Sequence, residues 1–455
     1  MKQTTRPQFL IAAPTSGTGK TTLSMGLMKL LARKGKKVQP FKCGPDYIDI
    51  RFHKIAAGLP SVNLDTFMAS EDHVRQIYAR YSETADVCIA EGMMGLFDGY
   101  DGRKGSAADI ARLLDLPVIL VIDAKSTSYS VAAQIYGFRN FDPQIQTVGV
   151  IFNRVGSDRH EAMLRKACQD IDVICLGCIR RNEELSLKSR YLGLDISPKK
   201  NEQTIEAWAD FIEGQIDLDL LLNQTMRPVP AYQCPAALLP KDKKLRIAVA
   251  RNKESFAFIY EETLTRFHEL GKVIFFDPEK TKRLPSNIDL LYLPGGYPEK
   301  RIQELLLNLN KKSDGSPWYC IREDIKNYIE NGGRTIAECG GMIYLSEGIM
   351  DEDGFNIMAD VLPFSITNSK DQRRLTLGYR QFEYNGQKLR GHEFHYTQIL
   401  DDPIPMSSVA QVYNATGQPV STPIFRYKNL IASYTHLYLG ETDILQLWND
   451  SNTNF

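Results

Sequence analysis

The decisive stretch of the sequence is APTSGTGKTT, residues 13–22, which lies between two segments of different pattern. Before it, residues 9–13 are continuously apolar, as in a buried strand. After it, apolar residues recur at helical spacing until Gly35. A strand, a glycine-rich loop and a helix are therefore predicted in that order, which is the setting of a phosphate-binding loop.

This loop has the chemical groups that bind a nucleoside triphosphate. Glycines let backbone N–H groups surround phosphate oxygens at a helix N-terminus, the lysine reaches the β- and γ-phosphates, and the next hydroxyl holds Mg²⁺. Pro14 stands where the usual G-x-x-x-x-G-K-[ST] pattern has its first glycine, but an ordinary glycine turn does not explain Lys-Thr at a helix start. The predicted nucleotide-binding residues are Gly17, Thr18, Gly19, Lys20, Thr21 and Thr22.

Further apolar segments in the first half of the chain predict parallel strands that are covered on both faces. They are residues 38–41, 87–90, 117–122 and 147–152, and helical patterns occupy residues 21–33 and 105–114. Strands that alternate with helices in this way are typical of a doubly wound α/β sheet.

Asp46 and Glu91 follow the second and third predicted strands. Because ligands of an open parallel sheet bind beyond the carboxyl ends of its strands, both acids should lie near Lys20. Mg²⁺ is commonly held by one or two carboxylates together with phosphate oxygens and water. We therefore predict a magnesium site made by Thr21, Asp46 and Glu91, with local turn hydrogen bonds as the alternative role of each acid.

A change of composition marks a domain boundary. Residues 225–244 contain four prolines and then a charged run, which is linker composition. A second pattern of strands and helices follows, with predicted strands at residues 245–250, 272–276, 289–293 and 335–338. The predicted divisions are a phosphate-loop domain at 1–224, a Pro-rich linker at 225–244, a second α/β domain at 245–445 and a tail at 446–455, of which residues 449–455 are expected to be frayed.

Cys339 lies at a sharp turn between the predicted strand at residues 335–338 and a predicted helix at residues 343–348. The N-terminal end of a helix favours the thiolate, which is the nucleophilic form of cysteine. Gly295 and Gly296 follow another strand, and with Gly340 they could present backbone N–H groups as an oxyanion hole.

Such a nucleophile needs a base or ion-pair partner, and three histidines downstream are candidates. His436 follows an apolar strand at residues 430–434, whereas His392 and His395 lie in the segment GHEFH. The alternative is that such a histidine lies at the surface or forms structural hydrogen bonds and has no catalytic role. This alternative fits His392 better than His436.

The composition excludes several classes of function. Lys plus Arg and Asp plus Glu both total 55, so no net field attracts nucleic acid or an anionic membrane. The N-terminal residues lack the apolar stretch of a signal peptide or spanning helix, and we expect a soluble cytoplasmic protein. Eight scattered cysteines favour reduced thiols. Cys175 and Cys178 form one C-x-x-C pair, but a zinc site would need a second pair.

Five segments together resemble one family, the cobyrinic acid a,c-diamide synthases, over about residues 9–440. The segments are APTSG at 13–17, KCGPDYID at 42–49, EGMMGLFDG at 91–99, ECGG at 338–341 and HEFHY at 392–396. The first half is similar to dethiobiotin synthetase and the second to class I glutamine amidotransferases. The resemblance implies a P-loop domain that phosphorylates carboxylates of cobyrinic acid with ATP and Mg²⁺, and a domain that releases ammonia from L-glutamine.

The resemblance also implies roles for single residues. Cys339 is the nucleophile and His436, in the segment SYTH, raises its nucleophilicity. Class I glutaminases usually carry Glu two residues after this histidine, but Tyr438 stands here, so the group that orients the imidazole is open. A second departure is Tyr191, where the family pattern has His.

Cobyrinic acid carries many carboxylates, so basic side chains near the synthetase site should bind it. Lys42, Arg51 and Arg190 are the candidates, each with a solvated surface charge as its alternative. Two rival functions stay open. One is a sister amidotransferase acting on hydrogenobyrinic acid or nickel sirohydrochlorin, and the other is a P-loop ATPase switch without covalent chemistry. The oligomeric state is also open, with a homodimer as one option.

Overall fold

The computed structural model describes residues 4–182, 185, 198–231, 244–307, 320–401 and 403–449. The chain divides into two compact units, Met1–Pro235 and Ala236–Phe455. Within the described ranges, no helix has the length and apolar character that crossing a membrane requires.

The first unit alternates strands and helices along the chain, as the sequence predicts. Its elements are β1 (Thr5–Ala12), α1 (Lys20–Arg33), β2 (Val38–Cys43), α2 (Asp49–Ala57), β3 (Val62–Leu64), α3 (Glu71–Ser82), β4 (Val87–Glu91), α4 (Ala107–Leu113), β5 (Val118–Asp123), α5 (Val131–Asn140), β6 (Thr147–Val155), α6 (Asp158–Asp170), β7 (Cys175–Arg180), α7 (Pro198–Ile212), α8 (Leu218–Gln224) and β8 (Met226–Pro228).

Seven of these strands form a parallel sheet in the order β3-β2-β4-β1-β5-β6-β7, and β8 joins β1 antiparallel. Side chains of a strand alternate between faces. Ile119 and Val121 pack in one core with α1 and α7, whereas Leu120 and Ile122 pack in another with α5 and α6. Helices therefore cover both faces, and the predicted doubly wound sheet is confirmed. The phosphate loop follows β1, between β4 and β5, where such sheets bind ligands.

The second unit has more strands than the sequence predicts. Its elements are β9 (Leu245–Ala250), α9 (Glu261–Leu270), β10 (Gly271–Phe276), β11 (Leu290–Leu293), a 3₁₀ turn (Pro298–Lys300), α10 (Ile302–Leu307), α11 (Ile321–Glu330), β12 (Thr335–Glu338), α12 (Gly340–Leu345), β13 (Ser346–Asp351), β14 (Gly354–Ile357), β15 (Leu362–Thr367), β16 (Thr376–Tyr384), β17 (Gln387–His395), β18 (Gln398–Ile399), β19 (Val412–Tyr413), β20 (Pro419–Val420), β21 (Ile424–Tyr427), β22 (Leu430–Ser433), β23 (Thr435–Leu437) and a 3₁₀ helix (Ile444–Trp448).

Its central sheet has the order β10-β9-β11-β12-β22-β21, parallel except for the last strand. This confirms the predicted second α/β unit. A four-stranded sheet, β14-β13-β15-β18, and a five-stranded antiparallel sheet, β20-β19-β16-β17-β23, follow in the same unit. The five-stranded sheet contributes His436, because β23 pairs with β17.

The structure differs from the sequence prediction at several elements. The predicted strands do not include β3, which has three residues, or β7, so Glu91 ends the fourth strand and not the third. The helix expected at residues 343–348 is α12, and Ser346 already begins β13. The glycines after Cys339 start the helix earlier than expected.

The two ends of the second predicted domain also differ from the prediction. Within the expected linker at 225–244, Met226–Pro228 form β8, and residues 232–243 lie outside the described ranges. The sequence predicts that the second domain ends at residue 445, but Leu447 is fully buried and Trp448 Nε1 donates a hydrogen bond to Asn429 O at 2.7 Å. Apolar burial therefore holds Leu447 and Trp448 in the core of the second unit.

Candidate functional sites

The phosphate loop has the backbone that a nucleotide site requires. Gly17 and Gly19 have φ angles of +77° and +101°, which residues with a side chain rarely adopt. A Cβ on Gly19 would also lie 2.2 Å from Asn153 Nδ2, which donates to Thr18 O at 2.8 Å. Lys20 begins α1, so the free N–H groups of the helix point into the loop.

The Lys20 ammonium is directed toward the loop. Its Nζ donates hydrogen bonds to Thr15 O at 3.0 Å and Met94 O at 2.6 Å. Burial, and then the positive charge of Lys42, lower the pKa of Lys20 to about 8 against the opposing effect of nearby carboxylates. Phosphate oxygens would give this ammonium charged acceptors in place of two neutral carbonyls, which makes stronger hydrogen bonds.

A buried cluster of charged groups lies beside Thr21. Thr21 Oγ1 donates to Glu91 Oε1 at 2.7 Å and to Asp49 Oδ2 at 3.3 Å. Lys42 Nζ reaches the same two oxygens, at 2.7 and 2.8 Å, and His53 Nε2 lies 2.7 Å from Glu91 Oε2. Burial favours protonated Glu91, but the charges of Lys42 and His53 outweigh it and hold the pKa of Glu91 well below its usual range.

The predicted ligand Asp46 has a different contact. Asp46 Oδ1 accepts hydrogen bonds from the backbone N–H groups of Ile48 at 2.7 Å and Asp49 at 2.8 Å, which fixes the turn that begins α2. Burial and the charge of Asp49 raise the pKa of Asp46 to about 6. The carboxylate that contacts Thr21 together with Glu91 is instead Asp49, three residues later. Asp46 therefore has the alternative role of a turn carboxylate, and neither Asp49 nor His53 was predicted from the sequence.

The three basic candidates for substrate binding have different positions. Lys42 is buried between Asp49 and Glu91, and these charges raise its pKa although burial alone would lower it. Arg51 is half-buried on α2. Arg190, like the departure at Tyr191, lies outside the described residues.

In the second unit Cys339 occupies a strained turn. Its φ and ψ angles are +44° and −105°, between β12 and α12. Its N–H donates to Ser433 O at 2.7 Å. A Cβ on the next residue, Gly340, would lie 2.8 Å from backbone atoms of Gly296, so the close approach of the two turns requires glycine. Strain held by surrounding contacts is common at functional sites.

Two of the three predicted donors, Gly296 and Gly340, lie at the thiol, whereas Gly295 lies against the His436 ring. The backbone N–H groups of Gly340 and Gly296 lower the pKa of Cys339 by hydrogen bonding and so favour the thiolate. Burial and then the negative charge of Glu299 outweigh them and raise the pKa of Cys339 above its usual range. The expected thiolate is therefore not the resting form. The reason is that α12 has only six residues and the sulfur is desolvated.

His436 packs against the same glycine turn. A Cβ on Gly295 would lie 2.0 Å from His436 Cε1, so the imidazole lies directly on this glycine, while Gly296 contacts Cys339. Burial, followed by the charges of His392 and His395, lowers the pKa of His436 to about 3. Cys339 and His436 thus meet the Gly295–Gly296 turn as a neutral thiol and a neutral imidazole.

The two remaining histidine candidates have structural neighbours. His395 Nε2 lies 2.8 Å from Glu393 Oε1, its Nδ1 lies 2.7 Å from Thr397 O, and its ring stacks on Tyr434 with centroids 3.6 Å apart. His392 pairs with His436 across β17 and β23, and burial lowers its pKa to about 4. His395 is therefore a hydrogen-bonded core residue.

Glu338 holds the strand that carries His436. Its Oε1 accepts the Leu437 N–H at 3.1 Å, and its Oε2 accepts the Tyr292 hydroxyl at 2.7 Å. Burial raises its pKa to about 8. At Tyr438, where related glutaminases carry Glu, the phenol ring instead packs 5.7 Å from the Tyr260 ring. This role of Glu338 was not predicted, because in the sequence the residue stands out only as part of the segment ECGG.

Cys175 and Cys178 lie on the edge strand β7 of the first unit. Their sulfur atoms are 3.8 Å apart as free thiols, and Arg165 donates to Cys175 at 3.6 Å. In the part of the chain that the structure describes, no group of three or more His, Cys, Asp and Glu residues is arranged to hold a metal ion.

Known proteins match both units. Residues 9–192 match the CobQ/CobB/MinD/ParA nucleotide binding domain, and residues 246–444 match the CobB/CobQ-like glutamine amidotransferase domain. The cobyrinate a,c-diamide synthase of Caldanaerobacter subterraneus subsp. tengcongensis is 37% identical over 446 residues, 95% of this chain and 95% of that protein. The hydrogenobyrinate a,c-diamide synthase of Brucella ovis is 39% identical over 441 residues, 94% of this chain and 98% of that protein.

Proposed function

This chain belongs to the family of cobyrinate and hydrogenobyrinate a,c-diamide synthases, and on that premise we propose that it amidates the a and c carboxylates of such a corrinoid acid. Each amidation consumes one ATP in the first unit and one L-glutamine in the second. The observation that carries the proposal is the Gly295–Gly296 turn, which contacts the His436 ring and the Cys339 thiol at once.

In the first unit, a substrate carboxylate oxygen attacks the γ-phosphorus of ATP and ADP leaves, giving an acyl phosphate. Ammonia then attacks the acyl carbon, and phosphate leaves as the amide forms. Lys20 and the N–H groups of the phosphate loop bind the phosphoryl oxygens and stabilise the negative charge that develops there. A carboxylate needs this activation because its oxygen is otherwise a poor leaving group.

Thr21, Asp49 and Glu91 are the residues that would hold Mg²⁺. Their ligand atoms are hard oxygens, which magnesium prefers. The two carboxylates already attract a cation, because the Lys42 ammonium lies 2.7 Å from Glu91 and 2.8 Å from Asp49. When bound, the ion neutralises charge on the β- and γ-phosphates. Lys42 is then available to a second anion, either the phosphoryl group or a carboxylate of the corrinoid acid.

In the second unit, Cys339 attacks the side-chain amide carbon of glutamine while His436 takes the thiol proton. The Gly296 and Gly340 N–H groups bind the oxyanion of the tetrahedral intermediate. The intermediate collapses to a thioester as ammonia leaves with the proton from His436, and water hydrolyses the thioester to glutamate. Because thiol and imidazole are both neutral at rest, proton transfer accompanies the attack.

The corrinoid substrate is either cobyrinate or hydrogenobyrinate, because relatives with each name are similar to this chain to nearly the same degree. Assays that offer both acids, and nickel sirohydrochlorin as a third, will identify it. The preferred acid is the one amidated with the highest kcat/KM.

The experiment for the whole proposal compares Cys339→Ala with wild type, with Cys320→Ala as a matched buried-cysteine control. Amide formation is followed with ATP, Mg²⁺ and the corrinoid acid, using either L-glutamine or ammonia as the nitrogen source. We expect Cys339→Ala to lose the glutamine-dependent reaction and keep the ammonia-dependent one. ATP hydrolysis by the wild type without amidation of any of the three acids would instead support the ATPase switch.

A further inference from the structure

Glu299 is a carboxylate beside the nucleophile that the mechanism above does not use. It lies in the 3₁₀ turn Pro298–Lys300, directly after the turn that contacts Cys339 and His436. After burial, its negative charge is the next largest cause of the raised pKa of Cys339, and it also raises the pKa of Tyr434. Glu299 is therefore close enough to Cys339 for its charge to act on the thiol.

Within the part of the chain that the structure describes, one carboxylate oxygen of Glu299 is buried without a hydrogen bond that would offset the loss of contact with water. Its Oε2 is closed off from solvent and has no hydrogen-bond partner among the described residues, although the residue as a whole is half-buried. Burial raises the pKa of Glu299 to about 7. A buried carboxylate oxygen without a partner costs stability, and the charge of Glu299 opposes loss of the Cys339 proton. Alone, this group hinders both folding and the reaction.

The neighbouring cations have other contacts. Lys300 Nζ lies over the Tyr297 ring, 4.3 Å from its centroid. Arg301 forms ion pairs with Glu304 at 2.7 Å, Glu279 at 3.2 Å and Glu254 at 3.5 Å. The charges of Lys300 and then of Arg373 lower the pKa of Glu299, but Arg373 lies on an exposed loop. A ligand with its own positive charge would complement Oε2 directly.

We propose that Glu299 binds the α-ammonium group of L-glutamine and so selects the amino acid over simpler amides. The inference rests on the proposed glutaminase role of Cys339. In extended glutamine the α-nitrogen lies roughly 5 Å from the amide carbon, so the ammonium can meet Glu299 while the amide meets the thiol. The bound ammonium also neutralises Glu299 and so removes a charge that disfavours the thiolate. Binding of glutamine therefore favours attack by Cys339.

The test compares two substrates on the full chain. L-glutamine has the α-ammonium group, whereas glutaramic acid has the same amide and carboxylate without it. We expect Glu299→Gln to lower kcat/KM about 100-fold for L-glutamine, as loss of a charge-assisted hydrogen bond predicts, with an increase in KM. For glutaramic acid, kcat/KM should not fall, because no ammonium contact is lost and a charge that opposes loss of the Cys339 proton is removed.

Glu304→Gln is the matched control, since Glu304 lies five residues on and pairs with Arg301. Glu304→Gln should leave kcat/KM unchanged for both substrates. Ammonia-dependent amidation by each variant shows that its first unit is intact. Equal losses for both substrates in Glu299→Gln, or an unchanged kcat/KM for L-glutamine, would overturn the inference. If Glu299→Gln does not fold, Glu299→Asp should show the same selective loss. Wild type without glutaminase activity would overturn the proposed function itself.

Discussion

Glu338, the residue before Cys339, accepts a hydrogen bond from the backbone N–H of Leu437, the residue after His436, at 3.1 Å. One side chain thus joins the strand that ends at the nucleophile to the strand that carries the imidazole. Tyr292 donates to the other carboxylate oxygen at 2.7 Å, so both oxygens have fixed partners. Glu338 is a positioning residue for the pair.

Replacing Glu338 tests this positioning role. Glu338→Ala should lower glutaminase kcat by about 10- to 100-fold, because the loss of two buried hydrogen bonds frees β23, and should destabilise the fold by about 2–4 kcal/mol. Glu338→Gln keeps a carbonyl for Leu437 and an amide for the Tyr292 oxygen, so its kcat should stay within about 3-fold of wild type. Steady-state glutamate production measures both. Similar kcat values for the Ala and Gln variants would contradict the role.

The stability of the chain should depend on pH through the same carboxyl. Its folded pKa of about 8 exceeds the ordinary value of 4.5, so the folded state binds the proton more tightly. The stabilisation is complete below pH 4.5 and is lost as pH rises through 8, up to about 5 kcal/mol. Glu338→Gln lacks this pH dependence, so its melting temperature relative to wild type should rise between pH 5 and 9. A constant difference over that range would show that Glu338 does not titrate there.

The resting thiol should react slowly with alkylating agents. Burial and Glu299 raise the pKa of Cys339, and the pKa of His436 is only about 3, so no thiolate-imidazolium pair forms at neutral pH. The rate of Cys339 alkylation by iodoacetamide should increase with pH up to 9 without a plateau. Mass spectrometry of the Cys339 peptide, with Cys339→Ala as a blank, gives the rate. A plateau below pH 7 would instead indicate a preformed ion pair.

Asp46 and Asp49 should respond differently to the same change. Asp49→Asn removes a charge next to Thr21 and should weaken Mn²⁺ binding in the presence of ATP by at least about 10-fold. Asp46→Asn keeps an oxygen for the Ile48 and Asp49 N–H groups and should change that affinity by less than about 3-fold. Paramagnetic resonance of Mn²⁺ compares them directly. Equal losses of Mn²⁺ affinity in the two variants would show that Asp46 also belongs to the metal site.

The sequence is informative wherever a role depends on a few consecutive residues. The phosphate loop, the parallel strands next to it and the turn at Cys339 are of this kind, because glycines between a strand and a helix indicate a tight turn and continuous apolar runs indicate buried strands. Asp46 and Asp49 lie within one turn of the chain, and only their side-chain directions separate them. The role of Glu338 could not be predicted because its partner, Leu437, lies 99 residues away.

The five-stranded sheet also escaped prediction, for a different physical reason. Some buried positions of β16 and β17 hold polar groups that pair with one another. Arg380 Nε lies 2.5 Å from Glu393 Oε2, and His395 Nε2 lies 2.8 Å from Glu393 Oε1. These paired groups interrupt the alternation of apolar and polar residues by which a strand is recognised. A strand with paired polar groups at its buried positions therefore cannot be recognised from its sequence pattern.

The position of β1 has a consequence for synthesis of the chain. It leaves the ribosome before β4, β5 and β8, yet it lies between β4 and β5, and its own first residues pair with β8 at residues 226–228. The nascent segment FLI, residues 9–11, therefore stays without its sheet neighbours until about half of the first unit has been made. A strand that must wait in this way is exposed to aggregation, so production of the protein should gain from slower translation or added chaperones.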